Sequence, residues 1–332
     1  MAYSPPFKLN TAILNHVANI SILVGSWVVK EQRQQPSLRR ENRIKTIQAS
    51  LAVEQNTLSL EQVTAVLEGK RVLGPPREIQ EVLNAFQAYE ALLNWQPQSL
   101  QDLCAAHQLM MQGLLAEAGR WRCGGAGIYR GDQLVHMAPP ANQVPRLMNQ
   151  LVDWLATTKV HPLVASAAFH YEFEFIHPFA DGNGRLGRLW QTLILSKWQP
   201  LFAYLPVESV IKDSQTEYYQ ALRDADQKSD CTQFIEYMLA AIATALENAI
   251  DADTTVRELA PEMRVETRVE MRVKTPDAIL SLLQESPTHS LAWVAQQLGV
   301  ATSTVERAVA KLQQDKKLKR IGPRKGGSWQ VL

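Results

Sequence analysis

At 332 residues the chain can carry two or three domains and bury a core without staples. Its net charge of +1 names no partner by bulk electrostatics, so any basic patch must be local. Three widely spaced cysteines, Cys104, Cys123 and Cys231, odd in number and free of any CxxC pattern, disfavour both a disulfide framework and a zinc site. The opening MAYSPPFKLN has no basic segment leading into an apolar stretch, and no run of some eighteen apolar residues occurs. The expectation is a cytoplasmic protein without membrane spans.

In chain order, helical periodicity covers about Thr11 to Val29 and, after a charged segment, about residues 41–55. In the second of these Ile44, Ile47 and Leu51 form one stripe, and its next member is Glu54. A carboxylate on an apolar stripe needs a cation, because an unpaired buried charge costs several kcal/mol or more. Ser59 followed by Gln62 predicts a capping box for a helix from Leu60 to Glu68. Helices follow over Gln80 to Leu93 and Leu100 to Leu115. The glycine-rich stretch from Gly119 to Pro140 then predicts a short β-hairpin with Val135, His136 and Met137 in its second strand.

Helical patterns resume over Val144–Leu155, His161–Phe175, Gly184–Lys197, Thr216–Gln227 and Cys231–Asn248. The repeat RVETRVEMRVKT, from Arg264, reads as a charged linker helix. Three short helices around Ile279, Leu291 and Val305, then two strands about a PRKGG turn, resemble a winged helix-turn-helix. Its third helix would offer Thr302, Ser303, Arg307 and Lys311 to DNA or to a protein.

The chemistry concentrates in HPFADGNGRLGR, twelve residues from His177 to Arg188. Pro178 turns the chain out of helical geometry, which leaves the His177 imidazole on a loop, and the unperturbed pKa of a histidine, near ~6.5, suits a general base. Gly182 and Gly184 allow close approach of backbone N–H groups ahead of a helix start, an anion nest backed by the helix dipole. Asp181 suits Mg²⁺, which takes one or two carboxylates plus phosphate oxygens. Asn183 can orient a phosphate, and Arg185 and Arg188 can clamp it from one helix face.

This spacing resembles the Fic family signature HxFx[D/E]GN[G/K]RxxR at every position. The resemblance implies a mainly α fold: a Fic-type helical domain with a small β-hairpin flap, followed by the C-terminal winged helix-turn-helix. It implies an N-terminal helical region over residues 1–95, a catalytic core over 96–250, a linker over 251–274 and the last domain over 275–332. The implied activity is transfer of AMP from ATP to a Ser, Thr or Tyr hydroxyl of a target protein or of the chain itself. His177 would be the base, Asp181 the Mg²⁺ ligand, and Gly182, Asn183, Gly184, Arg185 and Arg188 the phosphate site. Phe179 would pack the loop, and the hairpin would dock the target. Tyr218 and Tyr219 are candidates for adenine contact.

Ser50 to Gln55 resembles the family's inhibitory pattern [S/T]xxxE[G/N], whose glutamate pairs with the last arginine of the motif. Glu54 would then find its cation in Arg188, about 130 positions later. Gln55 departs from the pattern, so the expected left-handed helix stop passes to Asn56. The family's self-association implies a possible homodimer. Two further readings stay open: a DNA-binding regulator whose Fic domain senses a nucleotide, and a Fic enzyme that removes AMP or transfers another phosphate-linked group.

Overall fold

A computed structural model of the chain describes residues 3–31, 36–130, 133–251, 279–280, 282–284, 287, 290–297, 302–322 and 328–332. It divides into two units, Met1–Asp251 and Ala252–Leu332. The expected charged linker lies almost wholly outside the described residues. No described helix is long and apolar enough to cross a membrane.

The first unit is helical. Its elements are α1 (Thr11–Glu31), α2 (Pro36–Val53), α3 (Leu60–Leu67), α4 (Pro76–Ala91) and α5 (Leu100–Met110), then the hairpin β1 (Gly127–Arg130) and β2 (Gln133–Met137). After it come α6 (Val144–Thr157), α7 (Pro162–Ile176), α8 (Asn183–Trp198), α9 (Val207–Asp213), α10 (Gln215–Lys228) and α11 (232–251). Helix α9 carries no strong periodicity and was not expected from sequence. Helices α7 and α8 are the centre: each buries 13 residues, α7 through a mostly apolar run and α8 through apolar residues together with the buried polar Asn183, Arg185, Arg188 and Gln191. The expected N-terminal region and catalytic core share one hydrophobic core, with Ile44, Ile47 and Leu51 of α2 packed in the same cluster as Phe173 and Leu189.

Local signals hold at several helix ends. Ser59 Oγ accepts from the Gln62 N–H at 3.3 Å and Gln62 Oε1 accepts from the Ser59 N–H at 2.9 Å, the reciprocal capping box expected. The end of α2 differs from expectation. Gln55, not Asn56, takes the left-handed conformation, at φ 68°. The Asn56 N–H reaches the Leu51 carbonyl at 3.1 Å and the Gln55 N–H reaches that of Ala52 at 3.0 Å, which together make a Schellman stop. The Asn56 side chain is thereby freed to bridge elements, and its amide donates to the Glu78 carbonyl and to Glu81 on α4.

The hairpin pairs antiparallel, with Gly127 opposite Met137 and Ile128 opposite His136, then Tyr129 opposite Leu134. The jump leaves Val135 as an extra residue in β2, a bulge that bends the strand. In the second unit the helices α12 (Leu291–Gln297) and α13 (Thr302–Gln314) precede an antiparallel pair, β3 (Leu318–Ile321) and β4 (Ser328–Val331). Val294, Val305, Val309, Leu318 and Trp329 share its core with Ile279 and Leu283.

Candidate active site

The twelve-residue motif joins α7 to α8. His177 ends α7 in a left-handed conformation, at φ 49° and ψ 61°, so its ring leaves the helix axis where Pro178 forbids continuation. Arg122, which sequence reasoning did not single out, fixes that exit. Its guanidinium donates to the carbonyls of His177 at 2.7 Å and Ile176 at 3.3 Å, placing a cation at the negative end of α7. The same group donates to the Gly124 and Pro139 carbonyls, which flank the hairpin. One buried side chain thus ties the flap base to the backbone of the expected base.

Phe179 is fully buried, as expected for a packing residue. Its ring stacks on His107, with centroids 3.6 Å apart, and lies 4.9 Å from Trp121. His107, unassigned from sequence, accepts from the Gly119 N–H on Nδ1 at 2.8 Å. That contact puts its proton on Nε2, which donates to the Asp181 carbonyl at 2.9 Å. Burial pushes its pKa down to about 4, so it holds the loop as a neutral ring. Gly182 is required twice over: its φ is 85°, and a Cβ there would meet Met111 Sδ at 2.6 Å.

Asn183 has a structural role that the sequence did not indicate. Its amide closes on Phe179 at both ends, Oδ1 accepting from the N–H and Nδ2 donating to the carbonyl, each at 2.9 Å. In this structure both ends of the side chain are engaged in locking the loop. The two arginines also differ from the single clamp expected, since each engages a separate acid. Arg185 reaches Asp181 at 3.0 Å and Glu81 at 3.2 Å, whereas Arg188 turns to α2. There Arg188 donates from Nε to Ser50 Oγ at 3.1 Å, and from Nη2 to the Ser50 carbonyl at 2.9 Å and to Glu54 Oε1 at 2.7 Å.

The expected pairing of Glu54 with Arg188 is therefore present, with one change in its physics. The Arg188 side chain is 1% exposed but that of Glu54 is 33% exposed, so the desolvated member is the guanidinium. Burial opposes the Arg188 charge, yet the Glu54 carboxylate outweighs that and raises its pKa above the usual arginine value. A Cβ built on Gly184 would lie 2.2 Å from Glu54 Oε1 and 3.2 Å from Arg188 Nη1. The carboxylate thus rests directly on the glycine of the expected anion nest. Arg188 Nη1, buried beside it, has no hydrogen-bond partner among the described residues.

Of the two tyrosines proposed for adenine, Tyr218 is ruled out: it is 1% exposed and its hydroxyl lies 3.0 Å from His170 Nε2. Helical spacing buries it while leaving its neighbour outside. Tyr219 keeps a partly exposed ring and donates to the Val53 carbonyl at 3.2 Å, which Gln215 also reaches at 2.8 Å. Together they satisfy an orphan carbonyl at the end of α2. In the hairpin Met137 is 63% exposed, and in the second unit Thr302, Arg307 and Lys311 are exposed on α13.

His170 lies beneath Arg188, hydrogen-bonded to Gln191 at 2.6 Å, with the Glu174 carboxylate at 3.9 Å. Burial, then opposed by the Gln191 bond and aided by the Arg188 charge, lowers its pKa to about 4. A folded value below the unfolded ~6.5 means stability that is present above pH ~6.5 and lost as pH falls toward 4. Between these limits one such histidine contributes a slope of about 1.4 kcal/mol per pH unit. His170→Gln should flatten the pH dependence of urea unfolding by about that slope relative to wild type; parallel curves would contradict the assignment.

Comparison with known proteins fits this geometry. The Fic/DOC family pattern matches residues 97–195, which contain the whole motif. The protein adenylyltransferase Fic of Nematostella vectensis is 29% identical over 228 residues, covering 64% of this chain and 50% of that protein. The protein adenylyltransferase fic-1 of Caenorhabditis elegans is 31% identical over 232 residues, covering 66% and 43%. The chain spans about half the length, or less, of these curated relatives. Among solved structures, a fragment of C. elegans Fic-1 that carries a glutamate-to-glycine substitution superposes with a TM-score of 0.60 at 26% identity, covering 73% of this chain and 72% of that one. A Fic family protein from Desulfovibrio desulfuricans G20 superposes with a TM-score of 0.77 at 50% identity, over 99% of this chain and 98% of that one. On the strength of that near-full-length match and of the motif it contains, the chain belongs to the Fic/DOC family.

Proposed function

We propose that the chain is an autoinhibited protein adenylyltransferase. The observation that carries this reading is the seat of Glu54, whose carboxylate lies on Gly184 and 2.7 Å from the buried Arg188. An anion already occupies the place an anion nest prepares for phosphate. The terminal phosphate of ATP is the natural competitor for it, and the unpartnered Arg188 Nη1 supplies a further donor for its oxygens.

In the reaction, the backbone N–H groups of the Gly182–Gly184 turn and the start of α8 bind the phosphates. His177 takes the proton from a Ser, Thr or Tyr hydroxyl as its oxygen bonds to the α-phosphorus; the α–β phosphoanhydride bond breaks and pyrophosphate leaves. The target chain pairs along the β1–β2 hairpin, where Val135, His136 and Met137 supply the strand. The chemistry of the site fits a metal brought in with ATP: Asp181 offers one partly exposed carboxylate beside the turn. Mg²⁺ bound there would neutralise phosphate charge. Tyr219 is the remaining adenine candidate. With Glu54 in place, Arg188 is closed to the γ-phosphate and ATP lies misaligned for in-line attack.

Incubation with ATP labelled on the α-phosphate tests this directly. Glu54→Gly should label itself or proteins of an added lysate at least tenfold more than wild type, and Glu54→Gly combined with His177→Ala should not. Mass spectrometry should find an added AMP on a hydroxyl side chain. Equal and negligible labelling by all three proteins would overturn the reading, and wild-type release of AMP from a modified protein would replace transfer by removal.

The second unit supports a separate reading as a winged helix-turn-helix that binds DNA. Helix α13 buries Val305, Val309 and Leu312 and turns Thr302, Arg307 and Lys311 outward, with Lys319 exposed on the following strand. The Ser303 side chain, the other expected contact at this helix start, lies outside what the structure describes. The 332-residue chain should shift duplex DNA in a salt-dependent manner, and Lys311→Ala should reduce the slope of log K against log[salt] by about one. Binding that is indifferent to salt, or absent, would contradict it.

A further inference from the structure

The Asp181 carboxylate is already covered by a cation. Arg77, on the first turn of α4, places Nη2 3.0 Å from Asp181 Oδ2, while Arg185 places its own Nη2 3.0 Å from Asp181 Oδ1. Both arginines also reach Glu81 Oε1, Arg77 from Nε at 3.5 Å and Arg185 from Nη1 at 3.2 Å. The four side chains close a ring of alternating charge, Asp181–Arg77–Glu81–Arg185, with two positive and two negative members. Neither Arg77 nor Glu81 belongs to the motif.

The members are not equivalent. Arg185 is 5% exposed and Glu81 11%, whereas Arg77 is 59% exposed and Asp181 42%. The inner half is fixed by burial, and the outer half is an ion pair in contact with water. A cation from solvent can replace only the outer cation. Its departure would relieve part of the like-charge repulsion that a divalent ion on Asp181 meets, since Arg185 stays in place on the other oxygen.

We propose that Arg77 is a resident competitor for the divalent cation at Asp181, so that it sets how much Mg²⁺ the nucleotide site requires. The inference rests on the reading of Asp181 as the carboxylate that meets Mg²⁺–ATP. It also couples the two ends of the site. The Asn56 amide donates to Glu81 Oε2 at 2.9 Å, and the Thr57 N–H and hydroxyl both donate to Glu78 Oε2. The turn that follows Glu54 is therefore stapled to the helical turn that carries Arg77. Glu54 screens the γ-phosphate seat from α2, and Arg77 screens the metal seat from α4.

The test measures binding and not turnover. In a Glu54→Gly background, a non-hydrolysable ATP analogue is titrated calorimetrically across a range of free Mg²⁺ and in EDTA. An exposed ion pair of this kind is worth a factor of about two to five in an equilibrium. Arg77→Gln should lower the Mg²⁺ concentration that gives half-maximal enhancement of binding by about that factor, and Arg77→Lys should leave it near the parent value. Adding Asp181→Asn should abolish the Mg²⁺ dependence and make Arg77→Gln silent. An unchanged or raised Mg²⁺ requirement in Arg77→Gln overturns the proposal, as does weaker binding of that variant in EDTA, which would make Arg77 a phosphate ligand. If Asp181→Asn keeps the full Mg²⁺ dependence, the metal reading of Asp181 fails and the proposal falls with it.

Discussion

The contact between Glu54 and Arg188 organises the first unit. Arg188 is a full charge at 1% exposure in the centre of a helical core, a state that requires compensation. Compensation comes from α2: the Ser50 hydroxyl, the Ser50 carbonyl near the negative end of the helix, and the Glu54 carboxylate just past it. Because a third of the Glu54 side chain meets water, another anion can reach the guanidinium and take its place, whereas removing Glu54 with nothing in its seat leaves the buried Arg188 charge short of a partner. The lock is thus strong enough to position a helix and weak enough to be exchanged for another anion.

Everything around the pair holds α2 at the required depth. Ile44, Ile47 and Leu51 seat it in the core, Gln215 and Tyr219 take its terminal carbonyl, and the Schellman stop aims the chain toward α4. On the other side, His107, Phe179 and Asn183 lock the motif loop from within. The outcome is a rigid loop with charged side chains, Glu54, Arg77 and Asp181, at its rim. This is the arrangement expected when catalysis depends on positioning phosphates and control depends on denying them a seat.

Much of this was legible in the sequence because it is local or periodic. The motif, the capping box at Ser59 and the apolar stripe of α2 each depend on residues a few positions apart, and Glu54 stood out by breaking that stripe. What stayed hidden depends on contacts across the chain. Arg77 meets Asp181 from 104 positions away and Arg122 meets His177 from 55, with no spacing rule to join them. His107 resembled any histidine on a helix until its ring was placed on Phe179. Gln55 adopts a conformation its side chain disfavours, since tertiary bonds made by Asn56 and Thr57 fix the turn.

The central claim is that the Glu54 carboxylate occupies the seat of the terminal phosphate. Calorimetric comparison of ATP with ADP tests it most directly, with Mg²⁺ held constant. Wild type should bind the two nucleotides with the same affinity, because the third phosphate finds Arg188 taken. Glu54→Gly should prefer ATP by at least about tenfold, the worth of a charge-assisted hydrogen bond regained. A wild-type protein that already favours ATP as strongly as the variant would contradict the account.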